Sequence, residues 1–220
     1  MKKLFKTFVI LALGSFVLAS CNDKTDIDLG QYEEEERKFV AALAAEKVKI
    51  ENYLANLTEE DALYEAEEDT VLVPLQFIND EVTRGMWYKV ITPPTDDSYE
   101  YKISGSGYLT YPKVKLNYTA KLLDGTLVES AEGENYDFGS QSAVINYAWL
   151  YSFFPYSIRI NSEDRVISGL TEDGLKVGSK FVVVVPSYLA YGSVVKTGGV
   201  EDIPANSPLV YEFEVLQIGD

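Results

Sequence analysis

The spacing of apolar residues changes along the chain, and each change predicts a different element. Behind Lys2, Lys3 and Lys6 runs an uncharged stretch from Thr7 to Ser20, short of the roughly 20 residues that a membrane-spanning helix needs. From Gln31 to Leu57, Phe39, Leu43, Ile50, Leu54 and Leu57 recur at intervals of three, four or seven, which predicts an amphipathic helix although Glu46 and Lys47 interrupt the stripe. Glu33 to Glu36 crowd its start, where the helix dipole favours anions, and Glu33/Arg37 and Glu34/Lys38 stand at i, i+4. Its apolar side must meet either the rest of the chain, the favoured reading, or the same helix of a second molecule. Thr58-Glu59-Glu60-Asp61 has capping-box character, and the acidic segment to Asp69 reads as a second short helix or as solvated chain.

After that the period shortens to two. Val71 to Leu75 and Gln76 to Ile78 are apolar runs broken by Pro74, which suits an edge or covering strand. Gly85 to Ile91 has strand composition, and Pro93-Pro94-Thr95-Asp96-Asp97 predicts a loop. Val114, Leu116 and Tyr118 alternate with polar partners as in a half-buried strand, and Asp124-Gly125 marks the following turn. Between Gly139 and Val166, Tyr147, Trp149, Tyr151 and Phe153 occupy alternate positions. They predict a strand with one aromatic face, with an amphipathic helix as the open alternative.

Composition narrows the chemistry. A chain of 220 residues holds one ordinary domain plus a tail. A net charge of −16 disfavours nucleic acid, whose phosphates it repels. With no histidine and one cysteine there is no Ser-His-Asp or Cys-His catalysis, no intramolecular disulfide and no ordinary zinc site. That leaves carboxylates, hydroxyls and aromatics, with no cofactor and no metal expected. The one cysteine is placed distinctively: the N-terminal run reads as an export signal, and Leu18-Ala19-Ser20-Cys21 resembles a bacterial lipobox, in which Cys21 would be acylated and anchor the chain.

Three phrases follow in order: Val166-Ile167-Ser168-Gly169-Leu170, Tyr188-Leu189-Ala190-Tyr191-Gly192, and Ile203-Pro204-Ala205-Asn206 leading into Leu209 to Val215. With Tyr118 spaced ahead of Asp124-Gly125, this set resembles the FKBP-type peptidyl-prolyl isomerases over about residues 85–220. The resemblance implies an α+β fold in which a curved antiparallel sheet wraps around a short helix, here preceded by the N-terminal amphipathic helix. It divides the chain into a lipoprotein signal peptide (1–20), a tether (21–30), a helical and covering segment (31–84), and the FKBP-like domain (85–220) with an aromatic insertion at about 140–165. The insertion reads as an exposed grip for unfolded chains or, favoured, as additional core.

Carried over position by position, the family's pocket falls on Tyr118, Glu129, Tyr136, Val166, Ile167, Tyr191, Ile203 and Tyr211. The Tyr191 hydroxyl and the first backbone N–H of the Val166-Ile167 pair are expected to face a ligand carbonyl. Departures lie in the same place: Val128-Glu129 stands for Phe-Asp, Leu170 stands for the tryptophan of the pocket floor, and Gly169 to Gly178 is short, so that the helix there looks clipped. The implied activity is isomerisation of X-Pro bonds in proline-containing peptides or unfolded exported proteins, at a bacterial envelope facing periplasm or exterior. The alternative is a catalytically weak FKBP-like lipoprotein that binds peptides, favoured by Val128, Glu129 and Leu170. A homodimer through the N-terminal helix is compatible with both.

Overall fold

A computed structural model describes residues 29–140 and 144–220. The export signal, most of the tether and the lipidation residue Cys21 lie outside the described residues.

Helix α1 (Leu29–Ala55) begins inside the segment expected to be tether. It is followed by strands β1 (Glu67–Glu68), β2 (Leu72–Leu75), β3 (Asp80–Thr83), β4 (Trp87–Thr92), β5 (Lys113–Leu122) and β6 (Leu127–Asp137). Then come helix α2 (Tyr147–Phe153), β7 (Ser157–Ile160), β8 (Glu163–Val166), β9 (Lys180–Val185), a 3₁₀ turn (Ser187–Leu189) and β10 (Leu209–Gly219). One antiparallel sheet of six strands, in the order β1-β4-β9-β10-β5-β6, carries the molecule; β2 with β3 and β7 with β8 form separate ribbons. Residues 58–69 form turns and the two residues of β1, not a second helix, and Thr58 donates its N–H and hydroxyl to Asp61.

The sheet is buried on both faces, which explains the uninterrupted apolar run Phe181 to Val185 in β9. On one face Tyr118, Tyr211, Phe213, Val183 and Leu116 gather around α2, whose Ala148, Trp149 and Phe153 belong to the same core. On the other face Trp87, Val182, Val184 and Val210 pack with Ile50 of α1 and Leu63. The fold is therefore α+β, a curved antiparallel sheet around a short helix with an amphipathic helix in front of it. Of the two partners open to the α1 stripe, it meets the chain's own sheet.

Two acids, Glu36 at the helix start and Glu46 within the stripe, are buried with its apolar residues. The buried residues of α1 are Glu36, Leu43, Glu46 and Ile50, a single face seven, three and four apart. Glu36 accepts hydrogen bonds from the backbone N–H groups of Gln76, Phe77 and Ile78 at 2.8–2.9 Å, closing the β2–β3 turn, where Tyr32 also stacks on Phe77. The pairs Glu33/Arg37 and Glu34/Lys38 form at 4.0 and 2.6 Å, but they are exposed and contribute little. Apolar docking holds the helix: Ile50 has no exposed surface. Ile50→Ala is expected to cost about 3 kcal/mol, read as a lower denaturant midpoint; an unchanged midpoint would mean α1 does not rest on the sheet.

A buried ion pair ties the N-terminal segment to the rest. Arg84, 1% exposed, pairs with Asp69 and donates to the Ser168 carbonyl at 2.6 Å, while its guanidinium lies 4.0 Å from the centroid of the Tyr151 ring. Asp69 after β1, Ser168 after β8 and Tyr151 of α2 meet at this one side chain.

Candidate functional site

Register builds the site. Ala120 in the middle of β5 pairs with Tyr211 of β10 on one side and with Glu129 of β6 on the other. Cross-strand partners share a face, so Tyr211, Ala120 and Glu129 form a row across three strands, and Tyr118 paired with Phe213 forms part of the next row on the same side. Ala120 itself is fully buried beneath the aromatic residues beside it. Tyr136, opposite Val114, brings a further ring within 5.9 Å of Tyr118.

The floor is Trp149 of α2. Its ring lies 4.9 Å from Tyr118, 5.0 Å from Phe213 and 5.1 Å from Tyr136, and it has no exposed surface. This corrects two expectations. The aromatics from Tyr147 to Phe153 lie on a helix, not a strand, and the ring thought lost at Leu170 is supplied by Trp149 from the insertion. The physical reason is local. Asn146 caps the helix, its side-chain oxygen accepting from Ala148 and Trp149, and Pro155 follows one residue after its end. The cap also points into the site, donating from Nδ2 to the Tyr211 hydroxyl at 3.0 Å. Asn146 and Trp149 are thus site residues absent from the sequence-based set.

Val166 stands apart from these rings, whereas Ile167 is partly buried against the same core. Val166 ends β8, pairs with Ser157 and is 38% exposed, and the Ile167 N–H donates to the Tyr156 carbonyl at 2.8 Å, so it is already used within the chain. The Ser168-Gly169-Leu170 phrase instead braces the end of α2. Leu170 N–H donates to Tyr151, and Gly169 passes so close that an added Cβ would sit 1.7 Å from the Phe154 oxygen. Residues Gly169 to Gly178 contain no helix, because α2 already fills the inner face. Directly before α2 stand Val144 and Ile145, partly buried against the core.

At the rim are Tyr191, Glu129 and Ile203. Tyr191 donates its hydroxyl to both Glu129 oxygens, at 2.8 and 3.0 Å. Ile203, 2% exposed, exchanges both backbone hydrogen bonds with Lys196, which folds residues 193–202 into a flap. The flap rests on β6 through Val200 N–H to the Val128 carbonyl, where Gly199 leaves no room for a Cβ, and it exposes Val194, Val195 and Val200. Tyr118, Glu129, Tyr136, Tyr191, Ile203 and Tyr211 are therefore brought together.

Electrostatics keep these groups in defined states. Burial, reinforced by neighbouring Tyr211 and Glu129, pushes the Tyr191 hydroxyl far above the ordinary phenol range; burial does the same for Tyr118 and Tyr211. All three remain neutral donors at any physiological pH. Burial also raises the Glu129 carboxyl, while the Tyr191 hydroxyl and Lys196 draw it partly back. A raised folded-state value means that the stabilising contribution of Glu129 is complete below its unfolded-state pKa and declines as pH rises through the folded-state one. Glu129→Gln is thus expected to gain in Tm relative to wild type between about pH 4 and pH 8. A Tm difference independent of pH would contradict this.

The chain is similar to known proteins. The model of the FKBP-type peptidyl-prolyl cis-trans isomerase family matches residues 152–216. The FKBP-type peptidyl-prolyl cis-trans isomerase FkpA of Aeromonas hydrophila is 31% identical over 175 residues, 77% of this chain and 55% of that protein. The FKBP-type 22 kDa peptidyl-prolyl cis-trans isomerase of Escherichia coli K12 is 28% identical over 130 residues, 56% of this chain and 52% of that protein. A crystal structure of a peptidyl-prolyl cis-trans isomerase from Pseudomonas syringae pv. tomato superposes with a TM-score of 0.45 at 18% identity, covering 82% of this chain and 95% of that one. The chain spans about half the length of the curated relatives it matches. The family match and these two relatives agree on one likeness: the chain is similar to the FKBP-type peptidyl-prolyl cis-trans isomerases, most directly over residues 152–216.

Proposed function

We propose that the protein is a peptidyl-prolyl cis-trans isomerase that assists folding of exported proteins at the cell envelope. The observation that carries this reading is the aromatic enclosure of Tyr118, Tyr136, Tyr211 and Trp149 with a neutral hydroxyl, that of Tyr191, at its rim.

Such an enclosure suits X-Pro rotation. The bond turns over tens to hundreds of seconds because the amide must lose its resonance. The twisted amide has less charge separation than the planar one, so an apolar, water-poor wall favours it differentially. Each tenfold in rate asks for about 1.4 kcal/mol of that preference. The rings receive the proline, Ile203 and the flap valines hold the flanking residues, and Tyr191 orients the chain by donating to a substrate carbonyl. No nucleophile, proton transfer or cofactor is required of any side chain here.

The residues before α1 serve delivery in this reading. Acylation of Cys21 after removal of residues 1–20 would tether the folded body to a membrane, and among the described residues no helix is long and apolar enough to cross one. The division at about residue 85 is a boundary of homology in the same reading, since β1 from the preceding segment pairs with β4 in the main sheet.

One observation favours a second reading, a peptide-binding module with weak turnover: the Tyr191 hydroxyl is already engaged by Glu129. Refolding of a protein whose slow phase is X-Pro isomerisation separates the two. Acceleration of that phase by catalytic amounts of the protein is the expected result; an unchanged phase, with the unfolded chain merely bound, would support the module.

A further inference from the structure

Glu46 of α1 is one of the buried acids that the mechanism leaves unused. It is 7% exposed; its Oε2 accepts from the Ser187 backbone N–H at 2.6 Å and its Oε1 from the Ser187 hydroxyl at 2.7 Å. Ser187 opens the 3₁₀ turn Ser187–Leu189. The residue in the capping position is Pro186, whose side chain makes no capping hydrogen bond. Glu46 therefore caps the turn from outside, reaching it from a helix 141 residues earlier.

What the turn carries gives the contact its consequence. Ala190 N–H and Gly192 N–H both donate to the Ser187 carbonyl, at 2.9 and 2.8 Å, so the backbone on either side of Tyr191 is fixed to the residue that Glu46 holds. One α1 residue seven positions earlier adds a second grip: Phe39 meets the Tyr188 ring edge-on at 4.9 Å, and Tyr188 donates to the Arg84 carbonyl. Between them Leu43 lies 3.1 Å from where a Cβ on Gly85 would stand. Helix α1 thus lies against the pocket turn along one face.

We propose that Glu46 is a positioning residue for the isomerase: through Ser187 it sets the place of the Tyr191 hydroxyl. The proposal rests on the reading of Tyr191 as the group that orients the substrate carbonyl. It makes the N-terminal helix part of the catalytic apparatus, because a hydroxyl displaced by about 1 Å can lose as much as a hundredfold in rate.

The test compares the full chain as wild type, Glu46→Gln, Glu46→Ala, Tyr191→Phe and Glu46→Ala/Tyr191→Phe. Steady-state isomerisation of an X-Pro peptide is measured together with amide hydrogen exchange. Glu46→Ala should lower kcat/KM by about tenfold, Glu46→Gln should keep most of the activity because its amide oxygen still accepts from Ser187, and the double variant should be no slower than Tyr191→Phe alone. Exchange at Ser187, Leu189, Ala190 and Gly192 should quicken in Glu46→Ala while the amides of β9 stay protected. Wild-type rates in Glu46→Ala, a full multiplicative loss in the double variant, or exchange that quickens equally throughout β9 would each overturn the proposal. If wild type does not turn over at all, the isomerase reading fails on its own. Exchange at 187–192 in Glu46→Ala and Glu46→Gln then still decides whether Glu46 holds the turn.

Discussion

Replacing Trp149 by alanine is expected to cost about 4 kcal/mol of stability. Few domains hold more than about 5–15 kcal/mol in total, so the variant should sit close to unfolding at room temperature. The magnitude follows from the position of the ring. Trp149 has no exposed surface and meets Tyr118, Tyr136, Phe138, Phe153 and Phe213 within 6.3 Å, so its removal opens a cavity in the centre of the inner core. Its indole N–H has no hydrogen-bond partner in the structure, so Trp149→Phe forfeits no bond and should lose less than half as much. Denaturant unfolding of the three proteins is the measurement. A loss below about 1 kcal/mol for alanine would place the ring at a surface site.

The second large effect is on activity. Tyr191→Phe should reduce kcat/KM for an X-Pro peptide by about tenfold, equivalent to about 1.4 kcal/mol of transition-state stabilisation. The fold should survive, since the ring itself is kept. The variant also carries a pH signature. The Tyr191 hydroxyl is the hydrogen bond that favours the charged form of Glu129 against burial. Without it the Glu129 carboxyl rises further, so the stability lost on substitution should grow as pH rises from about 4 to about 7. A loss equal at both pH values would mean that the two side chains are not coupled.

What could be read from the sequence, and what could not, follows from the kind of order each element has. Val114, Leu116 and Tyr118 alternate because β5 faces the core on one side, and that period is visible without coordinates. The run Leu209 to Val215 was legible as the last of the ordered phrases that carry the resemblance. Helix α2 was not, since aromatics at 147, 149, 151 and 153 satisfy a period of two as well as the i, i+4 stacks Tyr147/Tyr151 and Trp149/Phe153. The deciding signals were smaller: Asn146 in the cap and Pro155 after the end. Misplacing that helix also left the floor to Leu170 and kept the exposed Val166 among the pocket residues, because a family motif marks chain order and cannot show that an earlier segment has taken over the inner face.

Glu46 was legible only as an interruption of an apolar stripe, and Glu36 only as one of the acids at the helix start. A buried carboxyl is tolerable where donors converge on it, and the donors here belong to residues 40 to 42 and 141 positions away. No local pattern announces such partners. Polar residues inside an otherwise regular stripe are accordingly the positions at which a helix is fixed to the rest of the fold.

The most direct measurement is a protease-coupled assay of cis-to-trans conversion in a short X-Pro peptide, run with wild type and with Tyr191→Phe. The account predicts conversion faster than in buffer, in proportion to wild-type enzyme, and markedly slower conversion with the variant. Wild-type rates equal to those of buffer alone would contradict it.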